Sequence, residues 1–205
     1  MNDFKVVCYH TPNGIYPEMA ARLKTSCTDL NVSIDVDCCA DLGSWVKNCA
    51  YKAKYIKQKL TETANNSCIV WIDSDAKLMS FPNTFGDCSV DFAVHAKPGA
   101  KRIKPAGREF INIPAKWKGD PAWFESGTIF FRKTESIMNM VDLWIAMGEN
   151  TNKWDQWTLQ EAWCEITPTT LWLDRSYCQI NKMHGADGAV ILHDLASVIQ
   201  KVNRT

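Results

Sequence analysis

The chain has 205 residues, of which 46% are hydrophobic and 22% are charged, a balance that is ordinary for a globular protein. Lys plus Arg equals Asp plus Glu at 23 each, so the net charge neither favours nor excludes a polyanionic partner. The amino terminus lacks a basic region followed by a long apolar one, and no stretch approaches the ~18 apolar residues of a membrane span. We expect one soluble cytoplasmic domain over residues 1–205, with no membrane segment.

The first third of the chain alternates strands and helices in a βαβ order. Apolar residues recur at helical spacing from Trp45 to Leu60, and a continuous apolar run from Cys68 to Ile72 is typical of a strand buried on both faces. These patterns predict a right-handed, mostly parallel sheet. The predicted strands here are 4–9, 32–38 and 68–72, and the predicted helices are 17–30 and 44–61.

The rest of the chain is less regular. Its predicted strands are 90–96, 127–132, 170–173 and 190–193, and its predicted helices are 136–147 and 155–165. Thr134 and Ser136 are both plausible caps for the first of these helices. A segment at about 97–122 has no clear period. The whole pattern predicts an α/β fold with a mostly parallel mixed central sheet flanked by helices.

Nine cysteines occur without a Cys-x-x-Cys pair, and the adjacent pair at 38–39 has poor geometry for zinc. We therefore expect free thiols in a reducing compartment. Several lie in apolar runs and are predicted to be small core residues, namely Cys8, Cys49, Cys68 and Cys178.

The predicted buried strand 68–72 ends in Asp73-Ser74-Asp75. Ligands of open α/β sheets bind outside the carboxyl ends of the strands, and residues two apart in an extended segment point the same way. Both carboxylates therefore face one position, where oxygen ligands suit Mg²⁺ or Mn²⁺ held jointly with substrate phosphates. The alternative is that the tripeptide only ends a strand and opens a turn.

The irregular segment is strongly basic. From Lys97 to Lys118 it carries seven Lys or Arg residues against one acid, Glu109. Such a run is by default a solvated surface loop. The functional alternative is a cationic arm for a phosphate-bearing ligand or acceptor.

Four motifs in this order resemble the GT-A fold of glycosyltransferases, which use nucleotide-sugar donors. The resemblance covers roughly 5–201. The motifs are the strand that ends in Asp73-Ser74-Asp75, then Glu125-Ser126-Gly127, Trp154-Asp155-Gln156 and Val190-Ile191-Leu192-His193. Gly-rich phosphate fingerprints are absent from the sequence, which disfavours ATP hydrolysis and hydride transfer.

The resemblance implies a metal centre. Asp75 resembles the family's aspartate that bridges Mn²⁺ or Mg²⁺ to the donor diphosphate, and Asp73 resembles the first acid, which contacts the ribose and sometimes the metal. His193 matches the place of a third metal ligand, with His184 as its competitor. Ser197 lies where it would touch the diphosphate. For His193 the alternative is a core histidine with satisfied ring nitrogens.

The resemblance also implies a donor site, with a UDP-sugar as the expected donor. The loop Tyr9-His10-Thr11 corresponds to the family's base-binding loop, with Asp37 a lesser candidate. Lys52 resembles a basic residue that approaches the donor.

Three residues are the catalytic candidates. Asp155 and Gln156 resemble the pair that faces the donor sugar in retaining members, so retention of configuration is favoured. Glu125 is a candidate base toward the acceptor hydroxyl. The alternative for Asp155 is a helix cap.

The acceptor is the least constrained part of the prediction. The basic segment favours DNA carrying a hydroxymethylated pyrimidine, as in phage-type enzymes, and a flipped base would need aromatic neighbours such as Trp117, Trp123 and Phe124. The alternative for each aromatic residue is ordinary packing. Alternatives for the protein as a whole are a glycan- or protein-directed glycosyltransferase, or a non-catalytic nucleotide-sugar or carbohydrate-binding module. Nothing in the sequence points to an obligate protein partner.

Overall fold

The computed structural model describes residues 3–96, 102–103, 111–112, 124–149, 151 and 153–199. The strands within these ranges are β1 (Phe4–His10), β2 (Ile34–Cys38), β3 (Cys68–Ile72), β4 (Ala76–Leu78), β5 (Phe92–Ala96), β6 (Arg102–Ile103), β7 (Ile111–Asn112), β8 (Phe124–Arg132), β9 (Thr170–Trp172), β10 (Gln179–Ile180) and β11 (Ile191–His193). The helices are α1 (Tyr16–Asp29), α2 (Trp45–Glu62), α3 (Asn83–Asp87), α4 (Glu135–Glu149), α5 (Asp155–Ile166), α6 (Asn181–His184) and α7 (Ala196–Ile199), with a short 3-10 helix at Arg175–Cys178.

The central sheet has six strands in the order β2-β1-β3-β8-β5-β9. Only β8 runs against the other five, because its pairings with β3 and β5 are antiparallel and the remaining pairings are parallel. The predicted mostly parallel mixed sheet is therefore confirmed. The reversed direction of β8 has a local consequence, since its amino-terminal half lies beside the carboxyl end of β3, with Thr128 opposite Ile72.

Helices cover both faces of this sheet. One core is formed with α2, α4 and α5, and the other with α1 and the β4–α3 region. All five residues of β3 are buried, as expected for a strand enclosed on both faces. The predicted α/β layering of the fold is confirmed.

The boundaries of the four predicted helices, α1, α2, α4 and α5, lie within two residues of the predicted ones, whereas the short helices α3, α6 and α7 were not predicted. Ser44 caps α2 with a side chain that accepts from the backbone N–H of Lys47 at 3.3 Å. Of the two caps predicted for α4, it is Thr134 whose hydroxyl accepts from the backbone N–H of Ile137, at 3.4 Å. The inner face of α2 departs from its apolar pattern, because Lys52 is 4% exposed and takes a place in the buried face.

A second, three-stranded sheet has the order β10-β11-β4. Strand β4 follows Asp75 directly, and it pairs antiparallel with β11 so that His193 lies opposite Ala76. This pairing joins the carboxyl end of β3 to a strand more than a hundred residues later. The predictions included the strand that ends at His193 but missed β4, which is only three residues long.

Two further differences concern the middle of the chain. Strand β8 begins at Phe124 rather than Gly127, so Glu125 lies in the strand and not before it. Within the predicted irregular segment, the short strands β6 and β7 pair antiparallel, and the other residues from 97 to 123 lie outside the described part, as do Trp117 and Trp123. No helix in the described ranges has both the length and the apolarity needed to cross a membrane.

All nine cysteines are free thiols. Three of the four predicted core cysteines are buried, namely Cys8, Cys68 and Cys178. Cys49 is only partly buried, and it faces a cavity instead of the core.

Candidate active site

A cavity of about 390 Å³ lies at the carboxyl ends of β1 and β3, where an α/β sheet is expected to bind its ligand. Its volume is in the range of small-molecule sites. The cavity is lined by ten of the predicted site residues: Tyr9, His10, Thr11, Lys52, Asp73, Asp75, Glu125, Asp155, Gln156 and His193.

Three of these residues form a cluster that has metal-ligand chemistry. Asp73 follows β3, Asp75 lies in the turn to β4, and His193 ends β11. Their ligating atoms all lie within 4.8 Å of one another. Two carboxylate oxygens and an imidazole nitrogen are a donor set that suits Mn²⁺ and tolerates Mg²⁺. His184, the competitor of His193, lies in α6 and does not belong to this cluster.

The two carboxylate oxygens of Asp75 have different surroundings. Oδ2 accepts from the backbone N–H of Ala196 at 2.8 Å. Oδ1 is buried and 3.5 Å from His193 Nδ1, and no group in the described ranges donates a hydrogen bond to it. Burial works to raise the pKa of Asp75, but His193 and the Ala196 N–H outweigh burial and lower it. An ionised oxygen with spare acceptor capacity fits a cation.

His193 is 3% exposed and is held at both ring nitrogens. Nε2 lies 3.0 Å from the hydroxyl of Thr128, and Nδ1 faces Asp75. Burial alone works to lower the pKa of this imidazole, but Cys178 and Asp75 outweigh it and raise the pKa well above its usual value. In the metal-free protein, His193 and Asp75 therefore form an ion pair.

Asp73 has different partners from Asp75. Its Oδ1 accepts from the indole Nε1 of Trp71 at 2.7 Å and from the ammonium of Lys52 at 3.0 Å. Enclosure by the protein raises the pKa of Asp73 and outweighs the opposing effect of Lys52, and the neighbouring charge of Asp75 adds to the increase. Asp73 thus belongs both to the metal cluster and to a lysine-centred network.

Lys52 is the centre of that network. Its ammonium lies 2.7 Å from Asp155 Oδ2 and donates to the backbone carbonyl of Ser126 at 3.1 Å. Burial works to lower the pKa of Lys52, but Asp155 and Asp73 outweigh burial and raise it, so the side chain stays charged. The Ser126 hydroxyl donates to the same Asp155 oxygen at 2.9 Å.

The capping alternative for Asp155 is wrong. The N-cap of α5 is Trp154, and Asp155 is the first helical residue. Its carboxylate instead pairs with Lys52 and accepts a hydrogen bond from the Ser126 hydroxyl. Gln156 is half-buried and also lines the cavity.

Glu125 reaches the cavity from β8, at 7% exposure. Its Oε2 lies 3.8 Å from Nε2 of His95, whose Nδ1 is 2.8 Å from the carbonyl of Leu173. An irregularity in β5 between Val94 and His95 brings His95 opposite Glu125. Glu125 is therefore positioned as a cavity carboxylate with an imidazole behind it.

Two predicted residues are not part of this arrangement, and the side chain of a third is not described. Asp37 is not among the residues that line the cavity, and its carboxylate accepts from Tyr55 and pairs with Lys59, both at 2.8 Å. Phe124 is 1% exposed in the core, so it is not available to stack on a flipped base. Ser197 falls in α7, but its side chain lies outside the described part.

Sequence reasoning missed several residues of the site. Trp71 lies two positions before Asp73 and so points to the same side of β3, a signal that the period of a strand makes visible. Thr128 and the cavity residues Tyr16 and Trp45 carry no local signal. Their positions depend on which strands and helices become neighbours in space.

No protein-family model matches the chain, and no curated protein matches it. Among solved structures, a glycosyltransferase involved in the glycosylation of the major capsid of PBCV-1 aligns with a TM-score of 0.67 and 16% identity, over 97% of this chain and 97% of that one. The bifunctional glycosyltransferase WbbM gives 0.61 and 10% over 95% of this chain. The glycosyltransferase GlyE of Streptococcus pneumoniae TIGR4 gives 0.55 and 13% over 96%.

The chain spans 46% of the WbbM chain and 60% of the GlyE chain. At these identities the likeness is one of fold, and it confirms the predicted GT-A-like α/β class. The chain has the fold of these glycosyltransferases.

Proposed function

We propose that the protein is a metal-dependent glycosyltransferase, which moves a sugar from a nucleoside diphosphate donor to an acceptor hydroxyl. The observation that carries the proposal is the buried Asp75 Oδ1, which takes no hydrogen bond from the described residues and lies beside His193. A purely structural carboxylate would be expected to have its oxygens satisfied. Asp75 lines the same cavity as Asp73 and Asp155.

Asp73, Asp75 and His193 would hold the cation, Mn²⁺ or Mg²⁺. When bound, a divalent ion supplies charge neutralisation to the departing diphosphate. The loop Tyr9-His10-Thr11 would bind the base, for which a UDP-sugar is the proposed donor, and Ser197 would contact the diphosphate. These assignments rest on the resemblance of the motifs and, except for Ser197, on their shared cavity.

Asp155 and Gln156 would face the donor sugar, with the Asp155 carboxylate held 2.7 Å from the ammonium of Lys52. An ionised carboxylate near the anomeric carbon stabilises a sugar with oxocarbenium character. Because Asp155 is committed to Lys52 and Ser126, it is poorly placed to act as a dedicated base, which supports retention of configuration. Glu125 remains the candidate base toward the acceptor hydroxyl.

The first test measures donor hydrolysis across a panel of nucleotide sugars, with Mn²⁺ or with a chelator. We expect turnover of a UDP-sugar that the chelator abolishes and that Asp75→Asn removes. The control variant is Asp29→Asn, because Asp29 is an exposed acid at the end of α1. Cation-dependent UDP binding without any turnover would instead support the non-catalytic binding module.

For the acceptor we propose DNA with a hydroxymethylated pyrimidine, because of the seven cationic residues between Lys97 and Lys118. The alternative is a glycan or protein acceptor, since the neighbour from PBCV-1 is involved in the glycosylation of the major capsid. The test offers hydroxymethylated DNA, unmodified DNA and oligosaccharides under the same donor conditions. Transfer to DNA should fall steeply with salt. Transfer to oligosaccharides alone would replace the DNA proposal.

A further inference from the structure

His193 is the one member of the metal cluster that comes from the small sheet, and its ring lies against β8 of the central sheet. The two sheets therefore meet at this imidazole. Thr128, 0% exposed, contributes the hydroxyl that lies 3.0 Å from Nε2. The opposite nitrogen, Nδ1, lies 3.5 Å from Asp75 Oδ1.

Gly127 allows the His193 ring to lie close to β8. A Cβ placed on Gly127 would lie 2.9 Å from Cε1 and 3.1 Å from Nδ1 of His193. Contacts this short force a shift, and the atoms that the new methyl group would meet first are Cε1 and Nδ1, on the edge of the ring that faces Asp75. Gly127 is therefore needed for close approach, with no role for an unusual backbone angle. Its carbonyl also accepts from the backbone N–H of Asp73 at 2.8 Å, which ties this point of β8 to the acids.

We propose that Thr128 and Gly127 are positioning residues that hold the His193 ring so that Nδ1, and not Nε2, binds the cation. The inference rests on the proposed function only in needing a cation at this cluster. A ring nitrogen that already bonds a fixed partner orients the other nitrogen toward the metal. Thr128 has this role here.

A threonine hydroxyl suits the task for a chemical reason. It both donates and accepts, so it bonds Nε2 whether that nitrogen carries a hydrogen or a lone pair. The contact with Nε2 is therefore available in the metal-free ion pair with Asp75 and in a metal-bound state where Nδ1 carries the lone pair. In both of these states Nε2 carries the hydrogen, so the Thr128 hydroxyl accepts the hydrogen bond from it.

The experiment compares Mn²⁺ affinity, measured by electron paramagnetic resonance, in Thr128→Val and Thr128→Ser. The valine variant keeps the shape and removes the hydroxyl, and we expect it to lose about 10–100-fold in affinity. The serine variant keeps the hydroxyl and should retain most of the affinity. Equal affinities in the two variants, whether lowered or unchanged, would overturn the role of the hydroxyl.

Gly127→Ala tests the other half of the proposal. It should weaken Mn²⁺ binding because the new methyl group displaces the ring. The matched control is Gly148→Ala in α4, where an added Cβ meets nothing within 4 Å. Unchanged affinity in Gly127→Ala would contradict the need for close approach.

Wild-type protein provides a test that does not depend on the folding of a variant. Histidine labelled with ¹⁵N at one ring position only should show direct hyperfine coupling to Mn²⁺ from Nδ1, and coupling from Nε2 would overturn the proposal. Should wild-type protein bind no Mn²⁺, the metal-dependent function fails. The assignment of Nδ1 as the ligand then fails with it, and the ¹⁵N shift of His193 Nε2 in metal-free protein tests the part that needs no cation, the hold of Thr128 on the ring, which predicts a change in Thr128→Val and little change in Thr128→Ser.

Discussion

The two acids of the Asp73-Ser74-Asp75 motif are two residues apart, but they belong to clusters of different character. The lysine cluster consists of Lys52, Asp73, Ser126 and Asp155, and the histidine cluster of Asp75, Thr128 and His193. In the first, a buried ammonium lies between two carboxylates, at 3.0 Å from Asp73 and 2.7 Å from Asp155. In the second, the carboxylate and the imidazole lie 3.5 Å apart, and the nearer carboxylate oxygen takes no hydrogen bond from the described residues.

In the lysine cluster the charged groups are paired with one another, whereas in the histidine cluster one carboxylate oxygen has no hydrogen-bond donor among the described residues. A buried charge is tolerated when its partners are present, and the lysine cluster supplies them within the chain. In the histidine cluster, the buried Asp75 Oδ1 can accept hydrogen bonds that no described residue donates. We therefore expect that changes in the lysine cluster mainly affect folding, whereas changes in the histidine cluster mainly affect ligand binding.

The largest effect is expected for Lys52→Met. The substitution leaves the buried Asp155 without its cation and also removes the partner of the partly exposed Asp73, and breaking a buried pair in this way costs about 3–5 kcal/mol of unfolding free energy. Urea denaturation measures the loss. The matched control on the same helix is Lys54→Met, because Lys54 and its partner Glu149 are both 52% exposed and such a pair contributes no more than about 1 kcal/mol. Equal losses in both variants would erase the distinction between the clusters.

Asp75→Asn should show the opposite pattern. The amide keeps an oxygen that can accept from the Ala196 N–H but removes the counter-charge of His193, so we expect the unfolding free energy of metal-free protein to fall by less than in Lys52→Met, because an imidazole loses its proton more readily than a lysine does. Mn²⁺ affinity should fall by more than about 100-fold, because a direct ligand is lost and not an outer one. Titration calorimetry gives the affinity. A variant that binds Mn²⁺ normally would exclude Asp75 from the metal centre.

Much of the fold was predictable because its signals are local. The buried strand Cys68–Ile72, the apolar face of α2 and the cap at Ser44 each follow from neighbouring residues. The antiparallel direction of β8 was not predictable, since it depends on how the segment before it returns to the sheet. The same limit applies to the site. Asp73 and Asp75 carry a motif, but Thr128 enters only through a strand pairing.

The raised pKa of His193 predicts a smaller effect, a dependence of stability on pH. Asp75 and Cys178 raise the pKa of His193 in the folded protein against the effect of burial. A group with a raised folded-state pKa stabilises fully below its unfolded value of about 6.5, and that stabilisation is lost as pH rises through the folded value. In the presence of a chelator, wild-type protein should therefore lose stability relative to His193→Gln as pH increases above about 6.5. A difference that is independent of pH would show that the imidazole is not charged in the folded state.

Asp37 provides the smallest and most selective test, because it is an acid outside both clusters. A hydrogen bond from Lys59 is the main cause that lowers its pKa, with a further one from Tyr55, while its partial burial works the other way. Its stabilising effect is therefore present above the unfolded pKa of about 3.9 and lost as pH falls through the folded value. Since its side chain is 46% exposed, Asp37→Asn should cost less than about 1 kcal/mol at neutral pH. The variant should leave the Michaelis constant for the donor unchanged, because Asp37 does not line the cavity. A raised Michaelis constant with unchanged turnover would instead return Asp37 to the base-binding residues and move the donor site toward β2.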